Sequence, residues 1–595
     1  MTTKIKKYIA GSFVGCVVAM TTMAITGCTD FLTIYPNDRI VGNDFWKKKS
    51  DVETMVDGCY NSMIARNVQE RAIIWGAFRS DELVKFSDLS DNTLDNITAV
   101  NLLPTNRYNS WGDYYKVINN CNIVLNHAEA VMDEDPEFTK GDYEVIRSQM
   151  LALRSLCYFY LVRAFRDVPY TTHSYENDSE VELLPQSTPA EVLQNCLNDL
   201  QEAQRNIMRS GAYGKNDWRN KGYMTRDAVY SLMADILLWR AAMTHSTADY
   251  QQAIAFCDTV INSKHRYYEE NKVMTTLKEE ENDIYHLIDG DDAMSEIFGS
   301  GGNSRESILE WQYIDQDNVN TALEDYYYRN GEKSNNSILM ASELFNSPDK
   351  SADTPQGKKF YLTKNDYRFW NNVFEANNEE MEQMSIRKMC DLSRQSFTSS
   401  TNKGVAKSLN NRDYKQFGQN WIVYRLTDVM LMKAEALVET AVNDSDAVVL
   451  KQAFDLVQAV NKRSMMRNAT DTLKFETFKS KDNMELLVMN ERERELCFEG
   501  KRWFDLLRYS YRHMEGVNIN TLLADMTEGP KLYKPMLDMI IRKYNGDDGP
   551  SGDAVSYKMK GEHYLYWPVE ENELKVNKLL RQNPVYIQEK TTSKK

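Results

Sequence analysis

Aromatic side chains set in polar stretches are the residues of this chain best suited to chemistry. An indole or phenol ring offers a flat apolar face on which the C–H face of a sugar can stack. Amides, carboxylates and arginines beside it can take the hydroxyls. Three clusters have that composition. Trp75 lies near Phe78, Arg79 and Asp81. Tyr326, Tyr327 and Tyr328 stand beside Arg329 and Asn330. Trp370 belongs to the run Tyr367-Arg368-Phe369-Trp370-Asn371-Asn372. The expectation is that Trp75, Tyr326, Tyr327, Tyr328 and Trp370 form a ligand-binding platform. Trp311, in an alternating run, reads as core, as do Trp239 and Trp503 in helical runs.

Bond-breaking chemistry finds no comparable support. The seven histidines include no HExxH and no HxH spacing, so the usual zinc-hydrolase arrangement is missing. The glycines around Ser300 lack the lysine of a phosphate loop. Asn545-Gly546-Asp547-Asp548-Gly549 lacks the final acidic ligand of a calcium loop and reads as a turn. A glycosidase needs two carboxylates about 5–10 Å apart, and no motif singles out a pair among the 87 acidic residues. The chain therefore reads as a binder and not an enzyme, with no cofactor and no metal.

Composition narrows the partners. The chain has 595 residues, 42% hydrophobic and 27% charged, as expected of a globular protein. Its formal charge of −16 argues against nucleic acid, where affinity rests on neutralising phosphates. Lys4, Lys6 and Lys7 precede a short apolar run that ends in Ile25-Thr26-Gly27-Cys28. A small residue before cysteine at the end of such a run resembles a bacterial lipobox, so residues 1–27 read as a signal peptide and Cys28 as the lipidated residue. Acyl chains on Cys28 would anchor the protein to a membrane. With residues 1–27 removed, the cysteines remaining beside Cys28 would be Cys59, Cys121, Cys157, Cys196, Cys257, Cys390 and Cys497, an odd number without a CxxC. Buried free thiols are expected at Cys157, Cys257 and Cys497, which lie in helical apolar patterns.

The elements that must position these residues are helices. Residues 151–165 are almost continuously apolar, long enough for a buried helix. Residues 250–262 and 450–462 align with Gln252/Gln452, Ala253/Ala453 and Val260/Val460 in register, and each follows a long apolar helix. That is a helix-turn-helix unit used at least twice, as in tetratricopeptide repeats. Residues 263–419 are richer in Asn, Ser, Asp and Gly and read as an inserted lobe, where loop-borne function is expected. Within it residues 307–313 alternate as a strand; near the end of the chain residues 564–567 also read as one. Residues 490–508 read as one helix with Gly500 mid-face, a position that asks for close approach by another backbone. Their many charges read as a solvated flank.

Residues 491–508, ERERELCFEGKRWFDLLR, resemble the ERRRELxFEGxRWFDLxR segment of the SusD/RagB family. So do the helix carrying Trp111, Tyr115, Ile118 and Asn122, and the run LVRAFRDVPY, with Arg166 where glycine is usual. YRLTDVMLMKAEAL (424–437) also matches, as does a closing segment holding Pro568, Glu573, Asn577, Gln582, Asn583, Pro584 and Tyr586. The resemblance implies a mainly α fold of tetratricopeptide-like repeats with a large irregular inserted lobe and a few short strands. The expected parts are an N-terminal helical part (28–262), the lobe as ligand face (263–419) and a C-terminal helical part (420–595). It also implies an outer-membrane, cell-surface lipoprotein that captures oligosaccharides for a SusC-like TonB-dependent transporter. The alternatives are a binder of peptide or glycoprotein nutrients and a surface glycoside hydrolase.

Overall fold

Helices α1 (Lys49–Met63), α2 (Arg66–Ile73), α3 (Gly112–Glu134), α4 (Lys140–Phe165), α5 (Pro189–Ala203), α6 (Arg226–Thr244), α7 (Thr247–Glu270), α8 (Leu426–Thr440), α9 (Ala447–Ser464), α10 (Lys481–Leu496) and α11 (Arg502–Arg512) make up the frame. The structure is a computed structural model. It describes residues 45–177, 181–271, 285–299, 302–313, 318–328, 337–354, 357–374, 376, 383–389, 418–466, 469–526, 529–544 and 550–587. Cys28, Cys390, Arg329, Asn330 and the turn at 545–549 lie outside the described residues. Among those described, no helix is long and apolar enough to cross a membrane.

Helix α4 is the central rod. Thr139 caps it: its hydroxyl accepts from Asp142 N (3.2 Å), and the Asp142 carboxylate accepts from Thr139 N (3.0 Å), a reciprocal capping box. Every side chain from Ser148 to Phe165 is buried, so the helix is covered on all sides. It ends at Arg166, whose φ of +66° is a conformation glycine fills more easily. The arginine is held there by its own head group. Its guanidinium donates to Glu562 (2.9 Å), Asp167 (2.8 Å), Thr521 O (2.8 Å) and Asn518 O (2.7 Å). Those bonds tie the helix exit to the end of the chain.

Helices α3, α4 and α5 pack in sequence, α6 packs on α7, α8 on α9, and α7 on α8. The aligned pair behaves as a repeat. Ala253, Ala453, Val260 and Val460 are buried at the helix contacts, and Gln252 and Gln452 face solvent. Small alanines let paired helices approach closely. Helix α7 runs on to Glu270, past the expected start of the lobe at 263.

The lobe is stitched to both helical parts by short antiparallel strands. β1 (Leu83–Lys85) pairs with β3 (Leu339–Ser342), with Leu83 opposite Ala341, and β3 pairs with β4 (Gln383–Met384). β2 (Ser307–Trp311) pairs with β5 (Trp421–Arg425), with Trp311 opposite Trp421. β2 is buried at every position, because both of its faces are covered. Residues 564–567 form no strand: a 3₁₀ turn spans Glu562–Leu565, and Trp567 N donates to Ala164 O without a partner strand.

The stretch 490–508 departs most from expectation. It is two helices, α10 and α11, broken at Phe498 (φ +65°) and Gly500 (φ +68°). The close approach is real. A Cβ on Gly500 would sit 2.6 Å from Ala72 O, and one on Gly76 would sit 1.9 Å from Gly500 O. Gly76 lies in a π-helical turn, Ile74–Phe78, that follows α2. Instead of a solvated flank, the charges form a buried ionic network. Arg492 meets Asp505 (2.9 Å) and Asp428 (3.0 Å), and Arg508 meets Glu435 (2.8 Å) and Asp505 (2.7 Å). Arg502 reaches Asp81 (2.8 Å), and Arg425 reaches Glu499 (2.8 Å) and Glu495 (2.6 Å). Cys59, Cys121, Cys157, Cys196, Cys257 and Cys497 are buried free thiols.

Candidate functional site

The expected platform is interior. Trp75, Tyr326, Tyr327, Tyr328 and Trp370 are 0, 1, 0, 5 and 7% exposed, so none presents a face to a ligand in solution. Trp75 packs on Tyr114 (centroids 5.2 Å apart) and donates from its indole N–H to Tyr108 O (2.9 Å). Tyr326 reaches the same place from the lobe: its hydroxyl meets Tyr108 Oη (2.8 Å) and donates to Glu70. Trp370 donates to Lys364 O (2.8 Å) and packs on Phe369. The physical reason is that charge near these rings does not mean water. Arg79 donates to Leu565 O (2.7 Å), Asp81 pairs with Arg502, and Arg368 reaches Glu491 (2.8 Å), all of them buried. Trp239, Trp311 and Trp503 are core, as expected.

An aromatic cleft exists elsewhere, where α1 and α4 meet the start of the lobe. Its volume is about 650 Å³, and its lining includes Asp57, Tyr60, Asn61, Trp218, Tyr223, Asn303, Trp311, Gln312 and Tyr313. Trp218 is 48% exposed. It stands edge-on to Tyr223 (5.2 Å, 79°), and Tyr223 stacks on Tyr60 (4.4 Å, 16°). Trp218 is set at the start of a helical turn, Arg219–Gly222. A Cβ on Gly222 would come within 2.6 Å of Gln312 Cγ and 2.7 Å of Trp218 Cε3. Glycine is therefore what lets the indole lie against the turn.

Hydrogen bonds lock the wall. Tyr60 Oη donates to Gln149 Oε1 (3.0 Å) and accepts from Met224 N (2.9 Å). Tyr223 Oη donates to Asp57. Burial, and then Asp57, push the Tyr223 phenol above its ordinary value, so it remains a donor. The floor carries the Asn303–Gln312 amide pair, backed by Asn420. Asn303 Nδ2 donates to Gln312 Oε1 (2.9 Å), and Gln312 Nε2 returns a bond to Asn303 Oδ1 (3.1 Å). Asn420 Nδ2 donates to Glu310 Oε2 (2.8 Å), and its Oδ1 accepts from Tyr313 N (2.8 Å). An exposed ring face above fixed amides is suited to holding a polyhydroxylated ring.

Trp218 was legible by the criterion applied to the other clusters. Residues 209–222, RSGAYGKNDWRNKG, are polar and glycine-rich and show no helical periodicity. A further grouping has no sequence motif at all. His265 and Glu269, one turn apart on α7, and His286 bring their ligand atoms within 4.8 Å of one another. Neither ring nitrogen of the buried His286 has a hydrogen-bond partner. That donor set could hold a metal ion.

Residues 305–586 match the model of the SusD family, and residues 31–238 match a related model described as starch-binding associating with outer membrane. The chain belongs to the SusD family. SusD-like protein P38 of Formosa agariphila is 23% identical over 544 residues, covering 86% of this chain and 94% of that protein. SusD-like protein P2 of the same organism is 22% identical over 518 residues, covering 82% and 88%. A SusD superfamily crystal structure from Bacteroides thetaiotaomicron superposes with a TM-score of 0.62 at 19% identity, over 91% of this chain and 99% of that one. One from Bacteroides vulgatus gives 0.61 at 16% identity, with the same coverage. These likenesses establish the fold as that of the SusD superfamily. In this SusD-family chain the aromatic cleft lies between the two matched regions. Tyr60, Trp218 and Tyr223 come from the first, and Trp311, Gln312 and Tyr313 from the second.

Proposed function

We propose that this SusD-family protein is a cell-surface lipoprotein, anchored in the outer membrane through Cys28. It captures oligosaccharides and delivers them to a SusC-like TonB-dependent transporter. The observation that carries the reading is the half-exposed Trp218, set against the stacked Tyr223 and Tyr60 over the Asn303–Gln312 amide pair. Binding here rests on stacking and hydrogen bonds and needs no bond to break. Among the described residues lining the cleft, Asp57 is the one carboxylate, and Tyr223 already donates to it. A hydrolase would need two acting on opposite sides of the scissile bond. Family membership supports the anchoring and the transporter partner.

The test is isothermal titration of the purified protein against a broad oligosaccharide panel, with and without Trp218→Ala. At least one glycan should bind, and the substitution should weaken it about 10- to 100-fold, the loss expected for a stacking ring. Binding by no glycan, or undiminished binding after Trp218→Ala, would overturn the reading. A pull-down in which the protein retains a TonB-dependent barrel from outer-membrane extract tests the partner.

A further inference from the structure

A second cleft, of about 710 Å³, lies beside the first, and Asn303 lines both. Its wall carries Lys221, Arg226, Lys264 and Arg305, with Arg209 and Arg266 at the exposed edge. In a chain of net charge −16 this concentration of cations is unexpected, and among the described residues Lys221, Lys264, Arg226 and Arg305 are held by backbone carbonyls and not by direct ion pairs. Lys264 is 3% exposed, yet its ammonium donates only to Arg305 O (3.0 Å) and Ser307 O (2.6 Å). Lys221 donates to that same Ser307 carbonyl (2.6 Å). Arg305 is held by His286 O (3.0 Å) and Leu287 O (3.1 Å). Arg226 reaches Ile207 O at 3.5 Å, and its buried Nε has no partner.

The described acidic groups lining the cleft form no direct ion pair with these four cations, although Asp227 and the buried Glu306 partly offset the charge of Lys264. Asp217 is paired with Arg219 (2.7 Å) outside the set, Asp227 accepts from Ser263 Oγ (3.1 Å), and Glu270 is exposed at the edge. Burying unpaired charge is costly. Two ammonium groups sharing one carbonyl add repulsion: burial, and then Lys221, pull the Lys264 amine well below its ordinary value. An anion entering the cleft would relieve both penalties.

Taking the aromatic cleft as the glycan site proposed above, we infer that the adjoining basic cleft is a subsite for a carboxylate or sulfate group carried by the glycan. A sugar stacked on Trp218 would extend past Asn303 into a pocket whose donors are already fixed by backbone carbonyls. Charge-assisted bonds to a carboxylate or sulfate are about twice as strong as neutral ones. The protein would therefore select acidic over neutral oligosaccharides.

The experiment is isothermal titration of the full protein with four probes: a neutral galactan oligosaccharide, its sulfated form, an oligogalacturonide and sodium sulfate. Each is run at low and high sodium chloride. One or both charged oligosaccharides should bind about tenfold or more tightly than the neutral one, and the advantage should shrink in high salt. Which charged probe wins identifies the group. Arg266→Gln, at an exposed position, and Arg226→Gln should each reduce the preference, with melting temperature confirming that the variants are folded. Neutral binding should be unchanged in both and weakened about 10- to 100-fold with Trp218→Ala. Equal binding of neutral and charged probes, with Trp218 still required, would overturn this inference and leave the glycan reading standing. No binding by any oligosaccharide would overturn both. Binding of inorganic sulfate alone would make the cleft a site for a free anion and overturn the glycan-borne version.

Discussion

The arginines of α10 and α11 are buried and the basic side chains around Lys264 are buried or half-buried, but among the described residues only the first set forms direct ion pairs. Arg492, Arg502 and Arg508 each meet a carboxylate at 3.0 Å or less. Lys221, Lys264, Arg226 and Arg305 meet backbone carbonyls instead. Coulombic attraction in the interior repays desolvation only when geometry is good and the partner is present. The first region has its partners built in, and its charges hold helices together. The second leaves room for an anion from outside. The same residue types thus serve architecture in one place and recognition in the other, and the presence of the counter-charge separates the two roles.

The largest test of that contrast is Glu435→Gln. Glu435 accepts from Arg508 Nε (2.8 Å) and Nη2 (2.9 Å) and from Arg512 Nη1 (2.5 Å). Neutralising it leaves two buried guanidiniums under-compensated and should cost about 3–5 kcal/mol, read as a shift in the urea midpoint. An unchanged midpoint would show the network to be ornamental. Acid probes the same region more gently. Burial alone would raise the Asp428 carboxyl, but Lys501 and Arg492 outweigh it and hold it at about 2, against 3.8 ordinarily. A carboxylate whose folded value is depressed stabilises the fold above its unfolded value, and that contribution is lost as pH falls toward the folded one. Asp428 should therefore give up about 2 kcal/mol between roughly pH 4 and pH 2. Denaturant titration of the protein and of Asp428→Asn across that window would measure it.

Gly222→Ala addresses the site and not the frame. Its Cβ would press on Trp218 and Gln312, so glycan affinity should drop about tenfold, equivalent to about 1.4 kcal/mol, while the rest of the core keeps its packing. Titration calorimetry beside a thermal melt separates the two effects. The smallest expected change is Lys264→Met. Ser307 O keeps its bond from Lys221, and Arg305 O keeps one from Tyr268 Oη (2.8 Å). Loss of a buried amine that no described carboxylate pairs with directly should leave stability within about 1 kcal/mol of the parent or raise it. A loss as large as that of Glu435→Gln would erase the distinction between the two regions.

The helical frame was readable because periodicity is a local signal. The buried run of α4, the register of Ala253 with Ala453, and the close approach at Gly500 all follow from spacing within a few turns. Burial of charge is not local. Arg502 and Asp81 lie 421 residues apart, so nothing near Arg502 announces its partner, and a dense run of charge reads as surface. The same blindness misplaced Trp75, Tyr326 and Trp370, whose polar neighbours turned out to be interior. The break at Phe498 and Gly500 was hidden because the apolar positions on either side of it still fit one helical stripe. Trp218 had the right surroundings for a ligand-facing ring, with Gly211, Gly214 and Gly222 around it, but its exposure depends on how the turn packs against Gln312.

Arg166 has a consequence for how the chain is made. Its guanidinium and the Glu562 carboxylate stand 396 residues apart, and synthesis runs from the amino end. The strained exit of α4 thus waits, with only Asp167 as counter-charge, until nearly the whole polypeptide has emerged. An isolated amino-terminal half would keep that seam open, and the molecule closes when its last stretch arrives.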